Sequence, residues 1–239
     1  MRKESERLDY RKLLKNKEVK AFLKKGNENL GVLGYTEHSE KHCAIVARRA
    51  GMILKKLGYS EHEVELAQIA GAMHDVGNAI NRKNHGEYGG MLAYHILEKE
   101  GIALEDRIQI ASAIGNHDES TGGAVDAISA ALILADKTDV RREEKEALKV
   151  LTEYSPKLLK SMRNVMEDKH DRANYAVTNA TVKLNLEKKV ITLNLQVDEE
   201  ICSMCEYFEI FLGRMLMCRR ASELLGMKFK LTANGSKVL

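Results

Sequence analysis

Apolar residues recur at three- and four-residue intervals along most of this chain, and that period predicts helices. In the run from Glu63 to Gly77, Leu66, Ile69, Ala70 and Met73 fall on one stripe, and the helix is expected to stop at Gly77. Ser60 with Glu63 gives it a capping box. The helix before it, N-capped by Thr36 and stopped by Gly58, carries His42, Val46, Ala50, Ile53 and Leu57 on one face. After a polar loop over 78–84, His85, Gly89, Leu92, Ala93 and Ile96 share a face as far as Gly101. Residues 104–117 place Ile110, Ala113, Ile114 and His117 together, and residues 124–142 do the same for Ile128, Ala131, Leu132, Ala135 and Asp136. Two more helices are predicted at 143–153 and 156–173, and a basic one at 5–25 that ends near Gly26.

The period changes after residue 175. Val182, Leu184 and Leu186, then Ile191, Leu193, Leu195 and Val197, alternate with polar residues across Glu187-Lys-Lys189, which reads as a β-hairpin. A long helix over 199–226 comes next. Asn234-Gly235 splits a last pair of short strands at Phe229–Leu231 and Lys237–Leu239. The fold class expected is mainly α: a helical bundle with a small C-terminal α+β appendage, a β-hairpin plus a long helix. Three parts are expected: a basic N-terminal helix over 1–30, a helical domain over 31–175, and an extension over 176–239 packed on it.

Composition agrees with this picture. The 239 residues are 44% hydrophobic, enough for a substantial core, but only 5% aromatic and without Trp. The single proline, Pro156, suits long uninterrupted helices. Net charge is +3, yet the first thirty residues hold ten Lys and Arg against five Asp and Glu. That local excess reads first as a solvated helix face and second as a phosphate-binding surface. There is no apolar signal segment or membrane-length run, and four cysteines do not make a disulfide framework, so a cytoplasmic location is expected. Cys202-Ser-Met-Cys205 stands alone inside a helical pattern and reads as packing rather than a zinc site. The Met-rich stretch 204–217 reads as core or as the surface of a homodimer.

The informative residues are the polar ones on apolar faces. His42, His74, His85, His117 and Asp136 each lie on or beside the stripe of a different predicted helix, and Asp75 follows His74. One inward histidine is ordinarily a satisfied core residue. Five helices each turning a His or Asp inward is costly without a shared partner such as a metal ion. The spacings are 32 positions from His42 to His74, ten from Asp75 to His85, 32 on to His117 and 19 on to Asp136.

The order His42, His74-Asp75, Asp136 resembles the HD-domain metal-dependent phosphohydrolase superfamily. His85 and His117 match variants of that family that hold two metals, and residues 36–142 carry the likeness. The region is similar to the HD domains of bacterial ribonuclease Y and of dinucleoside-polyphosphate hydrolases, the latter especially at Leu134-Ala-Asp-Lys137. The segment His170–Tyr175, with the hairpin and long helix C-terminal to it, resembles a group of bacterial HD proteins described as predicted phosphohydrolases. The resemblance implies that His42, His74, Asp75 and Asp136 hold a first divalent metal. It implies that Asp75 bridges to a second metal held by His85 and His117, or that these two histidines protonate the leaving group if only one metal binds. Mixed N and O ligands suit Fe, Mn, Zn, Co or Ni.

The chain departs from the family pattern in three places. Many members read His-Asp-x-Gly-Lys, where this chain has His74-Asp-Val-Gly-Asn78. Asn78, Lys137 and Arg141 are then the expected substrate contacts, with Arg82 a further candidate. Asn116 leaves one ligand fewer for a second metal, which puts one metal ahead of two. The stretch Asn116–Gly123 lacks the Gly-Tyr-Pro signature of cyclic di-GMP hydrolases. The expected function is hydrolysis of a phosphate mono- or diester, with a nucleotide as the small phosphorylated substrate and a metal-activated hydroxide as nucleophile. The alternative is a non-catalytic HD module that senses a nucleotide. An HD-type ribonuclease ranks third, since no nucleic-acid-binding motif accompanies the basic N-terminus.

Overall fold

The computed structural model describes residues 9–33, 40–140 and 169–238. Among the described residues the chain begins with α1 (Tyr10–Lys15), α2 (Lys17–Leu33), α3 (Glu40–Lys56), α4 (Glu61–Met73), α5 (His85–Lys99), α6 (Leu104–Gly115) and α7 (Ala127–Lys137). Then come α8 (Lys169–Ala176), β1 (Val177–Asn185), β2 (Val190–Val197), α9 (Met204–Leu224), β3 (Lys228–Ala233) and β4 (Ser236–Lys237). The fold is mainly α with a small four-stranded sheet in the C-terminal part. Thr36, Pro156, Arg141 and the helix expected over 143–153 lie outside the described residues. Among the described residues no helix is long and apolar enough to cross a membrane.

Small residues let the central helices approach closely. A Cβ on Gly71 of α4 would sit 2.6 Å from Ala47 Cα of α3, and one on Gly51 would meet Gln68. Those pairings make α3 and α4 antiparallel. Ser60 caps α4 through the expected box, accepting from Glu63 N while the Glu63 carboxylate accepts from Ser60 N. Gly90 of α5 lies in the same way against Ala111 O of α6.

Helix α7 runs through the middle, and residues 128–135 are all buried. The pattern predicts one inward stripe, but α7 packs against α3, α4, α6 and α9. A helix covered on every side needs no polar face. Asp126 caps it, accepting from Ser129 N.

Two N-terminal expectations change. The first segment is two helices, because the Asn16 side chain accepts from Glu18 N and Val19 N and so starts α2 afresh. Gly26 does not end α2, which runs on to Leu33. It lets α2 approach the turn after α4, where a Cβ would lie 3.1 Å from Asn78 Cβ. The Asn29 side-chain amide donates to Asn78 O and Ala79 O in that turn.

In the sheet, β1 and β2 pair antiparallel, with Val182 opposite Leu193 and Leu184 opposite Ile191. The strand stops at Asn185, so Leu186 is exposed in the turn rather than on the inner face. β2 and β3 are parallel, Leu193 beside Leu231, so β2, α9 and β3 form a crossover unit. Met204–Leu224 buries Tyr207, Phe211, Met215, Cys218 and Ala221, a helical stripe that joins the same core as Ile191, Leu193 and Leu231. Asn234 and Gly235, both with positive φ (48° and 80°), make the turn to β4.

Candidate metal centre

α4 ends at Met73, four residues before Gly77. His74 caps it, and Asp75 (φ −96°, ψ 0°) leads into a 3-10 turn over Val76–Ala79. Gly77 has a tighter role than ending a helix: a Cβ there would fall 1.9 Å from His85 O. The turn therefore presses against the first residue of α5, bringing His85 to Asp75.

The four imidazoles are oriented alike. His74 Nδ1 donates to Gly71 O at 2.9 Å, His85 Nδ1 to Arg82 O at 3.0 Å and His117 Nδ1 to Ile114 O at 2.6 Å. His42 Nδ1 is 3.0 Å from Asp139 Oδ2. Each acceptor fixes the proton on Nδ1 and leaves Nε2 as the inward donor atom, the arrangement that metal-binding histidines require.

The Nε2 atoms converge with the carboxylates in two groups. His42 Nε2 lies 3.2 Å and His74 Nε2 3.5 Å from Asp136 Oδ1, and His74 Nε2 lies 3.2 Å from Asp75 Oδ2. His85 Nε2 and His117 Nε2 face each other at 3.2 Å, with Asp75 Oδ1 3.8 Å from His85 Nε2. His42, His74 and Asp136 form one potential ligand group, and Asp75, His85 and His117 another. Asp75 gives one oxygen to each side.

Two observations test whether these residues fit metal. His74 Nε2 is buried and, although Asp75 Oδ2 is 3.2 Å away, makes no well-aligned hydrogen bond among the described residues. His85 and His117 direct two acceptor nitrogens at one another, a repulsive arrangement relieved by a cation between them. The donor set of imidazole nitrogens and carboxylate oxygens suits a divalent first-row transition ion.

Electrostatics divides the two groups. Burial opposes charge on His42, but Asp136 and Asp139 outweigh it and raise its pKa to about 9. His74 is likewise buried, yet Asp75 and Asp136 raise it to about 10. Protons there occupy the place of a cation. Burial, reinforced by His85 and Lys137, pushes His117 down to about 3, and burial also lowers His85. Asp136 is held well below its ordinary value: burial works against this, but Lys137, His42 and His74 prevail.

The expected substrate contacts fare differently. Asn78 is buried, its amide donating to Asp75 Oδ1 at 2.8 Å and its oxygen accepting from Arg82 Nη1 at 3.3 Å. It orients Asp75 rather than facing a ligand. Lys137 Nζ lies 2.9 Å from Asp136 Oδ2 and 2.8 Å from Glu119 Oε2. Arg141 lies outside the described residues.

Several neighbours went unread in the sequence. Arg49 donates to Asp139 Oδ1 at 3.1 Å, to Ala135 O and to Thr138 Oγ1 at 3.2 Å each, so Asp139 is clamped behind His42. The signal was present: Arg49 is seven residues after His42, on the same face of α3. The Cys43 sulfur also lies within 4.8 Å of donor atoms of His74 and Asp75. Burial, with Asp75 and Asp136 nearby, raises its thiol pKa and keeps it neutral. Glu119 and Arg214 complete the surroundings. Arg214, on α9, has no local sequence signal.

Over 156 residues the chain is 32% identical to the uncharacterized protein MJ1020 of Methanocaldococcus jannaschii, a stretch that covers 56% of this chain and 60% of that relative's length. Residues 40–151 match the family model described as HD domain. That span, just under half of the chain, includes His42, the His74-Asp75 pair, His85, His117 and Asp136, and it is similar to the HD domain.

Proposed function

We propose that the protein hydrolyses a phosphate mono- or diester of a nucleotide with the help of divalent metal. His42, His74, Asp75 and Asp136 would hold a first ion, and Asp75, His85 and His117 a second. Bound there, metal supplies Lewis-acid polarisation of the phosphate and a water of lowered pKa.

The observation that carries the reading is the division of Asp75, with Oδ2 toward His74 and Oδ1 toward His85. It also favours two ions over one. His85 and His117 are kept neutral by burial, which suits ligands and not donors of a proton to the leaving group. Asn78 and Arg82 keep Asp75 from rotating. Lys137, one residue beyond Asp136, and Arg82, with Nη1 3.3 Å from His85 Nε2, are cations beside the centre that can neutralise phosphate oxygens.

The test is release of nitrophenol from bis-p-nitrophenyl phosphate by purified protein supplied with Mn, Fe, Co, Ni or Zn. Turnover that depends on metal and saturates with protein-bound ion supports the proposal. Tight nucleotide binding with no turnover under any metal would replace it with a sensor module.

A further inference from the structure

The C-terminal extension reaches the site through Arg214. This residue, on α9, places Nη2 3.5 Å from Glu119 Oε1. The other Glu119 oxygen lies 2.8 Å from Lys137 Nζ. Two cations from different parts of the chain thus flank one carboxylate, beside the Asp136 that faces His42 and His74.

These cations are unequally satisfied. Lys137 is buried between two carboxylates. Arg214 stacks on the Phe211 ring at 4.3 Å, and its Nε is buried without a hydrogen-bond partner among the described residues. A buried N–H of a charged group left unused beside a long ion pair is a donor awaiting an acceptor. The Glu119 carboxylate is partly exposed and follows His117 by two residues, in the loop after α6. It occupies an anion-sized position between Lys137 and Arg214.

We infer that Lys137 and Arg214 form a subsite for a second phosphate group of the substrate, adjoining the phosphate that is cleaved, and that Glu119 fills this position when substrate is absent. The substrate class is then a phosphoester that carries a further phosphate. This rests on the hydrolase reading, and it gives the extension a specificity role that residues 40–151 cannot supply alone.

The probes are adenosine mono- and diphosphate, titrated calorimetrically into the full-length protein with and without Mn. The wild type should bind the diphosphate about tenfold more tightly, the scale of one charged hydrogen-bonded contact. Arg214→Gln should remove that preference while leaving monophosphate binding in place. Glu119→Gln should widen it, because the competing anion is gone. A Glu119–Arg214 pair that serves only to anchor the extension predicts something else: both variants melt earlier and neither changes the preference. That result overturns the inference, as does equal binding of the two nucleotides by the wild type. The hydrolase reading fails separately, on absence of nitrophenol release, and a preference that responds to both variants would survive that failure.

Discussion

Asp75 and His85 meet with Oδ1 3.8 Å from Nε2, although they belong to different helical segments and the other Asp75 oxygen is turned to His74. One carboxylate thereby serves two clusters of donors. Replacing it with Ala removes a ligand from both and takes from buried His74 one of the two carboxylates that face its Nε2. We expect Asp75→Ala to lose bound metal, measured by elemental analysis of the purified protein, and to lose nitrophenol release with it. Cys205→Ala should change neither, since that thiol is exposed and its contact is with Glu209. Undiminished hydrolysis by Asp75→Ala would remove the basis for the proposed centre.

Asp139 is not a ligand in this arrangement, yet it holds His42 Nδ1 and is itself held by Arg49. Loss of such a partner weakens metal binding by roughly 10–100-fold in known sites. Asp139→Ala should therefore weaken Mn affinity on that scale in competition with a fluorescent chelator, and Asp139→Asn, which keeps an acceptor, should weaken it less. An unchanged affinity in Asp139→Ala would mean that His42 is oriented by packing alone.

The histidines set a pH window for the metal-stripped protein. His42 and His74, raised from 6.5 to about 9 and about 10, stabilise the fold fully below pH 6.5 and lose that contribution as pH climbs through their folded values. His117, lowered from 6.5 to about 3, works the other way: its contribution is present above pH 6.5 and is lost as pH falls toward 3. The depressed Asp136 is the other half of the His42 and His74 pairing and adds no separate window. The melting temperature after chelation should peak near neutrality and fall on the alkaline side. Mn has to displace the His42 and His74 protons, so its affinity should rise with pH over the same alkaline range and its binding should release protons. Affinity that does not vary with pH would contradict the protonated state assigned to these two residues.

The helices were legible because each buries a stripe, and β1 and β2 were legible because alternation survives on a sheet with one covered face. Covering from both sides hid the true environment of α7, whose residues 128–135 are buried all round. The parallel pairing of β2 with β3 was hidden too, since it depends on where α9 lies and not on either strand. In the centre, the residues on helix faces or in the His74-Asp75 pair were readable as inward polar groups. Asp139 sits just past the end of α7, where helical period no longer applies, and Arg214 reaches Glu119 from 95 positions away. Asn78 was read as a substrate contact because of its place after His74-Asp75, whereas its amide is used within the turn.

Gly77 distinguishes close approach from helix termination. A terminating glycine needs positive φ, and Gly77 is not among the residues with it, whereas Gly58, Gly101 and Gly226 are. What Gly77 supplies is space: its missing Cβ would meet His85 O at 1.9 Å and Gly89 N at 2.5 Å, both backbone atoms that cannot swing aside. Gly77→Ala should force the turn and α5 apart at a cost of about 3 kcal/mol, which for a chain of this size lowers the melting temperature by about 10 °C. The displacement falls on Asp75 and His85 together, so metal affinity should drop as well. Gly213→Ala is the control: that glycine is exposed within α9, a Cβ there meets nothing within 4 Å, and the change should stabilise by about 0.5–1 kcal/mol. If Gly77→Ala melted like the wild type and kept its metal, the turn would not be pressed against α5, and Asp75 would lack the support that lets it serve both clusters.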